Sequence, residues 1–261
     1  MSARVAVVTG AARGIGAAVV HELAREGWRV VAVDVCRDDP AVDYPLGTLE
    51  ELTAVADPYD GDVTPLVADV RDAGRLREAV AVAQERYGGL DAAVAAAAVI
   101  AGGTPLWETP EKTWDVLHDV DVRGVYHLAC AAVPAMLARP APRSGRFVAV
   151  ASVAAHRGLF GLAAYGAAKH AVVGLVRGLA ADLRGTGVTA VAVSPGSTRT
   201  SMLDATARLY GLDSTEHFTS RQLHDRLLEP EEIARAIAWL CSPNAGAVAG
   251  SVLRADGGFT V

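Results

Sequence analysis

Tyr165 and Lys169 stand four residues apart in AAYGAAKHAVVGLVRGLAADL, residues 163–183, which reads as one long amphipathic helix. A spacing of four puts both side chains on one face, one turn apart. Neither offers the other an opposite charge at neutral pH, so the pair does little to hold a helix together. It can do chemistry instead. A free phenol titrates near 10 and is a feeble base at neutral pH, but a nearby ammonium stabilises the phenolate and lowers that value. Bringing it to about 7 takes roughly 4 kcal/mol of differential stabilisation. Such a tyrosine takes a proton from an alcohol, or returns one to a carbonyl. Ser152 lies thirteen residues upstream, at the end of the strand-like GRFVAVAS. Its hydroxyl can hold a reacting oxygen beside the phenol.

A second constellation opens the chain. TGAARGIG, residues 9–16, follows one strand-like run and begins a helix-like one. Gly10, Gly14 and Gly16 let the backbone turn tightly and approach a ligand without Cβ clashes. The helix start at Arg13, Gly14, Ile15 and Gly16 then offers free N–H groups and a positive dipole end to a pyrophosphate. VAVDV closes the next strand with Asp34, eighteen residues after Gly16. A carboxylate there hydrogen-bonds ribose hydroxyls and repels a 2′-phosphate, which selects NAD over NADP even though Arg13 could favour a phosphate. A bound nicotinamide would add its positive charge to that of Lys169 beside the phenol.

These residues need a frame that brings strand ends together. Strand-like runs (RVAVVTG, RVVAVDV, VTPLVADV, LDAAVAAAA, GRFVAVAS, VTAVAVSPG, GSVLRADGG) alternate with helix-like ones, among them TPEKTWDVLHDVDVRGVYHLACAAVPAMLA. Continuous apolar strands separated by helices indicate a parallel sheet covered on both faces. The expected fold is a single doubly wound Rossmann domain over residues 1–261, α/β, with about seven strands. Two long segments break the rhythm, residues 36–62 and 201–228, and long connections in compact domains are usually functional or mobile.

With those motifs in order, the sequence resembles the short-chain dehydrogenase/reductase family over essentially its whole length. TGAARGIG, ADV at 68–70, YGAAK and SPGSTRT carry the resemblance. It implies that Ser152, Tyr165 and Lys169 are catalytic, with Tyr165 and Lys169 also touching the cofactor. It further implies that Asp69 and Val70 contact the adenine, and that Pro195, Gly196, Thr198 and Thr200 line the nicotinamide side. The helices holding Tyr126 and Tyr165 would pack into a homotetramer. Two departures stand out. Where the family usually has Asn-Asn-Ala-Gly, Ala95–Ala98 are four alanines, leaving the backbone at Ala96 to border the cofactor. Asp121, before Gly124, occupies the place of the family's fourth catalytic residue, usually Asn; it can accept a hydrogen bond but, ionised, cannot donate one. The expectation is that Asp121 keeps Lys169 protonated. A cofactor-binding protein with little or no catalysis stays open as the rival reading.

The segment DVCRDDPAVDYPLGTLEEL is similar to the insertion of the mycofactocin-associated subfamily, through Cys36, YPL at 44–46 and a short acidic helix. That resemblance implies that residues 36–62 cover the adenosine end and slow NAD release, with mycofactocin reoxidising the held cofactor in place; a harmless surface insertion is the alternative. Met202, Leu203, Leu209, Tyr210, Leu212 and Phe218 in the second segment are expected to form an apolar lid, core and subunit contacts being the other option. A lid points to a small hydrophobic alcohol or ketone as substrate.

Bulk composition excludes several classes. Hydrophobic residues make 51% of the chain, charged ones 21%, and the net charge is -6 with no basic run, which argues against nucleic-acid binding. Cys36, Cys130 and Cys241 show no metal or disulfide spacing, and the histidines show no ligand pattern, so no metal is expected. No signal-peptide core and no run long enough to span a bilayer is seen, so a soluble cytoplasmic protein is expected, with no membrane partner. His156 is expected to be structural or exposed rather than to reach the pocket, and EPEE at 229–232 to be a helix start.

Overall fold

The computed structural model describes residues 3–261. The apolar runs become strands, buried from both sides except at the two sheet edges, β3 and β7: β1 (Val5–Thr9), β2 (Arg29–Asp34), β3 (Val63–Val67), β4 (Ala92–Ala95), β5 (Arg146–Val150), β6 (Thr189–Pro195) and β7 (Val252–Ala255). They form one sheet among the described residues, in the order β3-β2-β1-β4-β5-β6-β7, and every pairing is parallel. Strand order reverses between β1 and β4. In open α/β sheets that switch point, at the carboxyl ends of the strands, is where ligands bind.

The helices are α1 (Gly14–Arg25), α2 (Leu49–Ala56), α3 (Ala73–Tyr87), α4 (Glu111–Leu117), α5 (Gly124–Leu137), α6 (Ala163–Asp182), α7 (Ser201–Leu209) and α8 (Pro230–Cys241). One face of the sheet packs on α3, α5 and α6 through Leu76, Leu128, Met136 and Val172. The other packs on α1 and α8 through Val20, Leu23, Ile233 and Ile237. A fully buried side chain of this kind stabilises by about 1.5–3 kcal/mol. The fold is thus the single doubly wound domain expected. The acidic run at 229–232 starts a helix as expected, with Pro230 at the first turn and a reciprocal Glu229–Glu232 capping box. Among the described residues no helix is long and apolar enough to cross a membrane.

The helix-like run 111–137 is not one α-helix. Between α4 and α5 it widens into a π-helical turn, His118–Arg123. Such turns are rare and often mark functional sites, because the extra residue re-aims side chains. Here Asp121 points inward and is fully buried. Gly124 follows because a Cβ there would meet Val70 Cγ2 at 2.6 Å.

Candidate active site

A cleft of about 870 Å³ runs along the carboxyl ends of β1, β2, β4, β5 and β6. At one end sits the glycine turn. Gly10 and Gly14 have φ of +69° and +59°, conformations that favour glycine, and a Cβ on Gly10 would lie 2.7 Å from the Ala97 backbone nitrogen. The N-cap residue of α1, Arg13, makes no side-chain cap, and the first turn holds no acidic residue. Its leading N–H groups are left for a ligand anion. Asp34 Oδ2 accepts from Ala12 N–H at 3.0 Å and Oδ1 from Cys36 N–H at 3.2 Å, which fixes the carboxylate at the cleft wall. Arg13 donates to the Pro45 carbonyl. Its guanidinium is therefore engaged by the 36–62 segment, and the phosphate preference weighed for it loses ground to Asp34. An uncapped helix start above a glycine turn, facing a fixed carboxylate, fits a dinucleotide.

The adenosine end carries an ion cluster that the sequence did not reveal. Asp69 receives Arg71 at 2.7 Å and Arg37 at 3.0 Å, and Arg71 also reaches Asp39 at 2.7 Å. Burial opposes ionisation of Asp69, but the hydrogen bonds from Arg71 and Arg37 hold its carboxyl below the usual range. Asp69 and Val70 line the cleft, with the Asp69 carboxylate already committed to arginine.

At the other end lie Ser152, Tyr165 and Lys169. In α6 the buried stripe runs Ala164, Tyr165, Ala168, Lys169, Val172, Val173, Val176, so the helical period itself sinks the phenol and the ammonium together. Lys169 Nζ sits 3.0 Å from Asp121 Oδ2, and the two side chains are 2% and 0% exposed. Val99 N–H donates to Asp121 Oδ1 at 2.9 Å. Burial opposes the charge on Lys169, but the charges of Asp121 and Tyr165 and the hydrogen bond to Asp121 together outweigh it and raise the lysine, so the ammonium stays protonated. Lys169 Nζ lies 5.5 Å from the centroid of the Tyr165 ring. Ser152 neighbours the phenol and favours its ionised form.

Lys169 pulls the Tyr165 phenol down, as does neighbouring Ser152, but burial is the larger effect and Asp121 adds to it, so the phenol stands above its ordinary value. A bound nicotinamide beside Lys169 is the second positive charge expected from the sequence.

Pro195, Gly196, Thr198 and Thr200 line the cleft after β6, and Thr200 also caps α7 by accepting from Leu203 N–H at 3.3 Å. Met202, Leu203, Tyr210, Leu212 and Phe218 line its outer wall, whereas Leu209 packs by Gly103 instead. His156 bonds Ser194 at 2.8 Å, as a structural histidine does. The four alanines after β4 are steadied by Thr9, whose hydroxyl accepts from Ala96 and Ala97 N–H at 3.2 and 3.3 Å and donates to the Val94 carbonyl at 3.4 Å. Thr9→Val keeps the shape but strands those N–H groups. It is expected to cost about 1–3 kcal/mol, seen as a lower urea midpoint.

Part of the 36–62 segment lines the cleft. The short acidic helix is present as α2, started by a reciprocal Thr48–Glu51 capping box. Ahead of it Tyr44 and Leu46 line the cleft wall. Tyr44 is 8% exposed and packs in the cluster that contains Tyr165, Leu117 and Ile100. Nothing in the sequence pattern marked Tyr44 beyond its place in YPL.

Fold and site define the class, and comparison with known proteins agrees. A family model described as enoyl-(acyl carrier protein) reductase matches residues 10–260. An A-factor type gamma-butyrolactone 1'-reductase (1S-forming) of Streptomyces virginiae is 37% identical over 99% of this chain and 96% of its own. A (-)-trans-carveol dehydrogenase of Rhodococcus erythropolis is 34% identical over 99% and 98%. The crystal structure of carveol dehydrogenase from Mycobacterium avium in complex with NAD superimposes with a TM-score of 0.92, at 30% identity, covering 99% of this chain and 98% of that one. The chain belongs to the short-chain dehydrogenase/reductase family and is an oxidoreductase of that kind.

Proposed function

We infer that this protein is an NAD-dependent dehydrogenase that interconverts a hydrophobic secondary alcohol, of the cyclic kind carveol represents, and its ketone. The observation that carries the reading is the buried Lys169–Asp121 pair beside Tyr165, in the same cleft as the uncapped glycine turn. NAD, when bound, accepts or returns a hydride at its nicotinamide ring. The rest is done by the chain. Gly10 to Gly16 receive the pyrophosphate, Asp34 the ribose, and Pro195 to Thr200 border the nicotinamide. Ser152 orients the substrate oxygen, and Tyr165 moves the proton at that oxygen. Lys169, kept charged by Asp121, supports the phenolate. The apolar side chains of 202–218 exclude water and select a hydrophobic substrate. Two copies of α5 and α6 pair in a homotetramer, and exposed Tyr126 on α5 supports that reading.

The mycofactocin-associated reading rests on the 36–62 segment, which lines the cleft and is tied to Arg13 through the Pro45 carbonyl and to Arg71 through Asp39. A strap held at both ends slows cofactor exchange. NAD(H) is therefore expected to accompany the protein through gel filtration, as seen in its absorbance spectrum, with turnover rising when an artificial electron acceptor is supplied. Emergence free of NAD(H), with full turnover on added NAD alone, would refute the held-cofactor reading. The activity itself is tested with a panel of secondary alcohols and ketones, carveol included, with and without that acceptor. NADH binding without turnover on any member would leave a binding protein rather than an enzyme.

A further inference from the structure

We propose that Tyr44, delivered by the 36–62 segment, is a positioning residue for the reaction centre. Its hydroxyl accepts the Ile100 N–H at 3.1 Å, and the neighbouring Val99 N–H is the one that donates to Asp121 at 2.9 Å. Asp121 in turn holds Lys169 at 3.0 Å. A continuous chain of contacts thus runs from the strap through one peptide segment to the ion pair beside Tyr165. Tyr44 is the only strap side chain in this chain of contacts among the described residues.

The placement is built rather than incidental. The Tyr44 ring is buried between Ile100 and the cluster around Leu117 and Tyr165, and the strap on either side is anchored. The Pro45 carbonyl takes Arg13, and Leu46 N–H donates to Asp38 at 2.8 Å. Segment 95–100 has no side-chain polar group of its own, being four alanines followed by Val99 and Ile100. Its order past β4 is therefore imposed from outside, by Thr9 at Ala96 and Ala97, by Asp121 at Val99 and by Tyr44 at Ile100. With the strap seated, Val99 N–H is fixed where it orients the Asp121 carboxylate toward Lys169. With the strap lifted, that N–H is free to turn away, and the ammonium loses the geometry that supports the Tyr165 phenolate. Closure over the cofactor and readiness of the acid–base group become one event. The charged and titratable groups facing Tyr165 in this arrangement are Lys169, Asp121 and Tyr44 itself.

This inference rests on Tyr165 being the general acid–base group, and the test separates the two. Tyr44→Phe keeps the ring and removes the acceptor. Amide hydrogen exchange on the purified protein is expected to speed up about tenfold at Val99 and Ile100, as loss of one hydrogen bond gives. With carveol as the probe, kcat is expected to fall about tenfold with KM little changed, and the acid limb of alcohol oxidation to move to higher pH. Asp38→Ala, which loosens the strap without touching Tyr44, should show the same exchange change more weakly. Unchanged exchange at Val99 and Ile100 overturns the inference, as does a lower melting temperature with an unmoved pH profile. If Tyr165→Phe retains wild-type turnover, the functional reading fails instead, and the exchange experiment still decides whether Tyr44 orders this segment.

Discussion

Tyr165→Phe is expected to lower kcat by about 10²–10⁴-fold, the usual contribution of a positioned acid–base group, while cofactor affinity falls far less. Phenylalanine fills the same place in the buried cluster with Leu117, Ile100 and Ala168, so the fold loses little. What disappears is the one hydroxyl that sits beside Ser152 and within the field of Lys169. Steady-state kinetics in both directions check it, with fluorescence titration of NADH as the control for binding. A loss in binding equal to the loss in turnover would mean that the hydroxyl only holds the cofactor.

The second large effect falls on stability. Asp121→Ala leaves Lys169 as a buried cation without its counter-ion, and breaking a buried pair in this way typically costs 3–5 kcal/mol. The Val99 N–H loses its acceptor as well. Urea denaturation of wild type and variant measures the difference. Its pH dependence carries a sign. The folded-state lysine is raised above its ordinary 10.5, so its contribution is full below that value and is lost only as pH climbs through the raised one. In Asp121→Ala the lysine has lost that support and burial lowers it instead, so the deficit is expected to be largest at low and neutral pH and to shrink as pH rises toward the ordinary lysine value. Asp121→Asn keeps an acceptor for Val99 but not the charge, so it should fall between the two in stability and in turnover.

Much of this was legible in the chain because the signals are local. Alternating apolar runs and helices gave the parallel sheet, and the glycine turn and Asp34 marked the dinucleotide end. The four-residue spacing of Tyr165 and Lys169 put them on one face, and the buried stripe of α6 shows that this face is the inner one. What the chain concealed depends on contacts distant in sequence. The π-helical turn that sinks Asp121 beside Lys169 is announced by no propensity pattern, although the family's fourth-residue position had already pointed to Asp121 as the lysine's partner. Tyr44 reaches Ile100 across 56 positions. Thr9, which looks like an ordinary strand end, replaces the side-chain bonds that the four alanines lack. The phenol's upward shift is a burial effect, and burial of a helix N-terminal tyrosine depends on what folds over it.

That shift also locates the most direct test. If burial holds Tyr165 neutral and an added positive charge in the cleft is what releases its proton, then adding NAD should change its titration. Ultraviolet difference spectroscopy across the pH range follows tyrosinate formation in wild type and in Tyr165→Phe, each with and without NAD. One tyrosine is expected to ionise at markedly lower pH when NAD is present, in the wild type alone. Identical titrations in the two proteins, with NAD bound to both, would contradict the account.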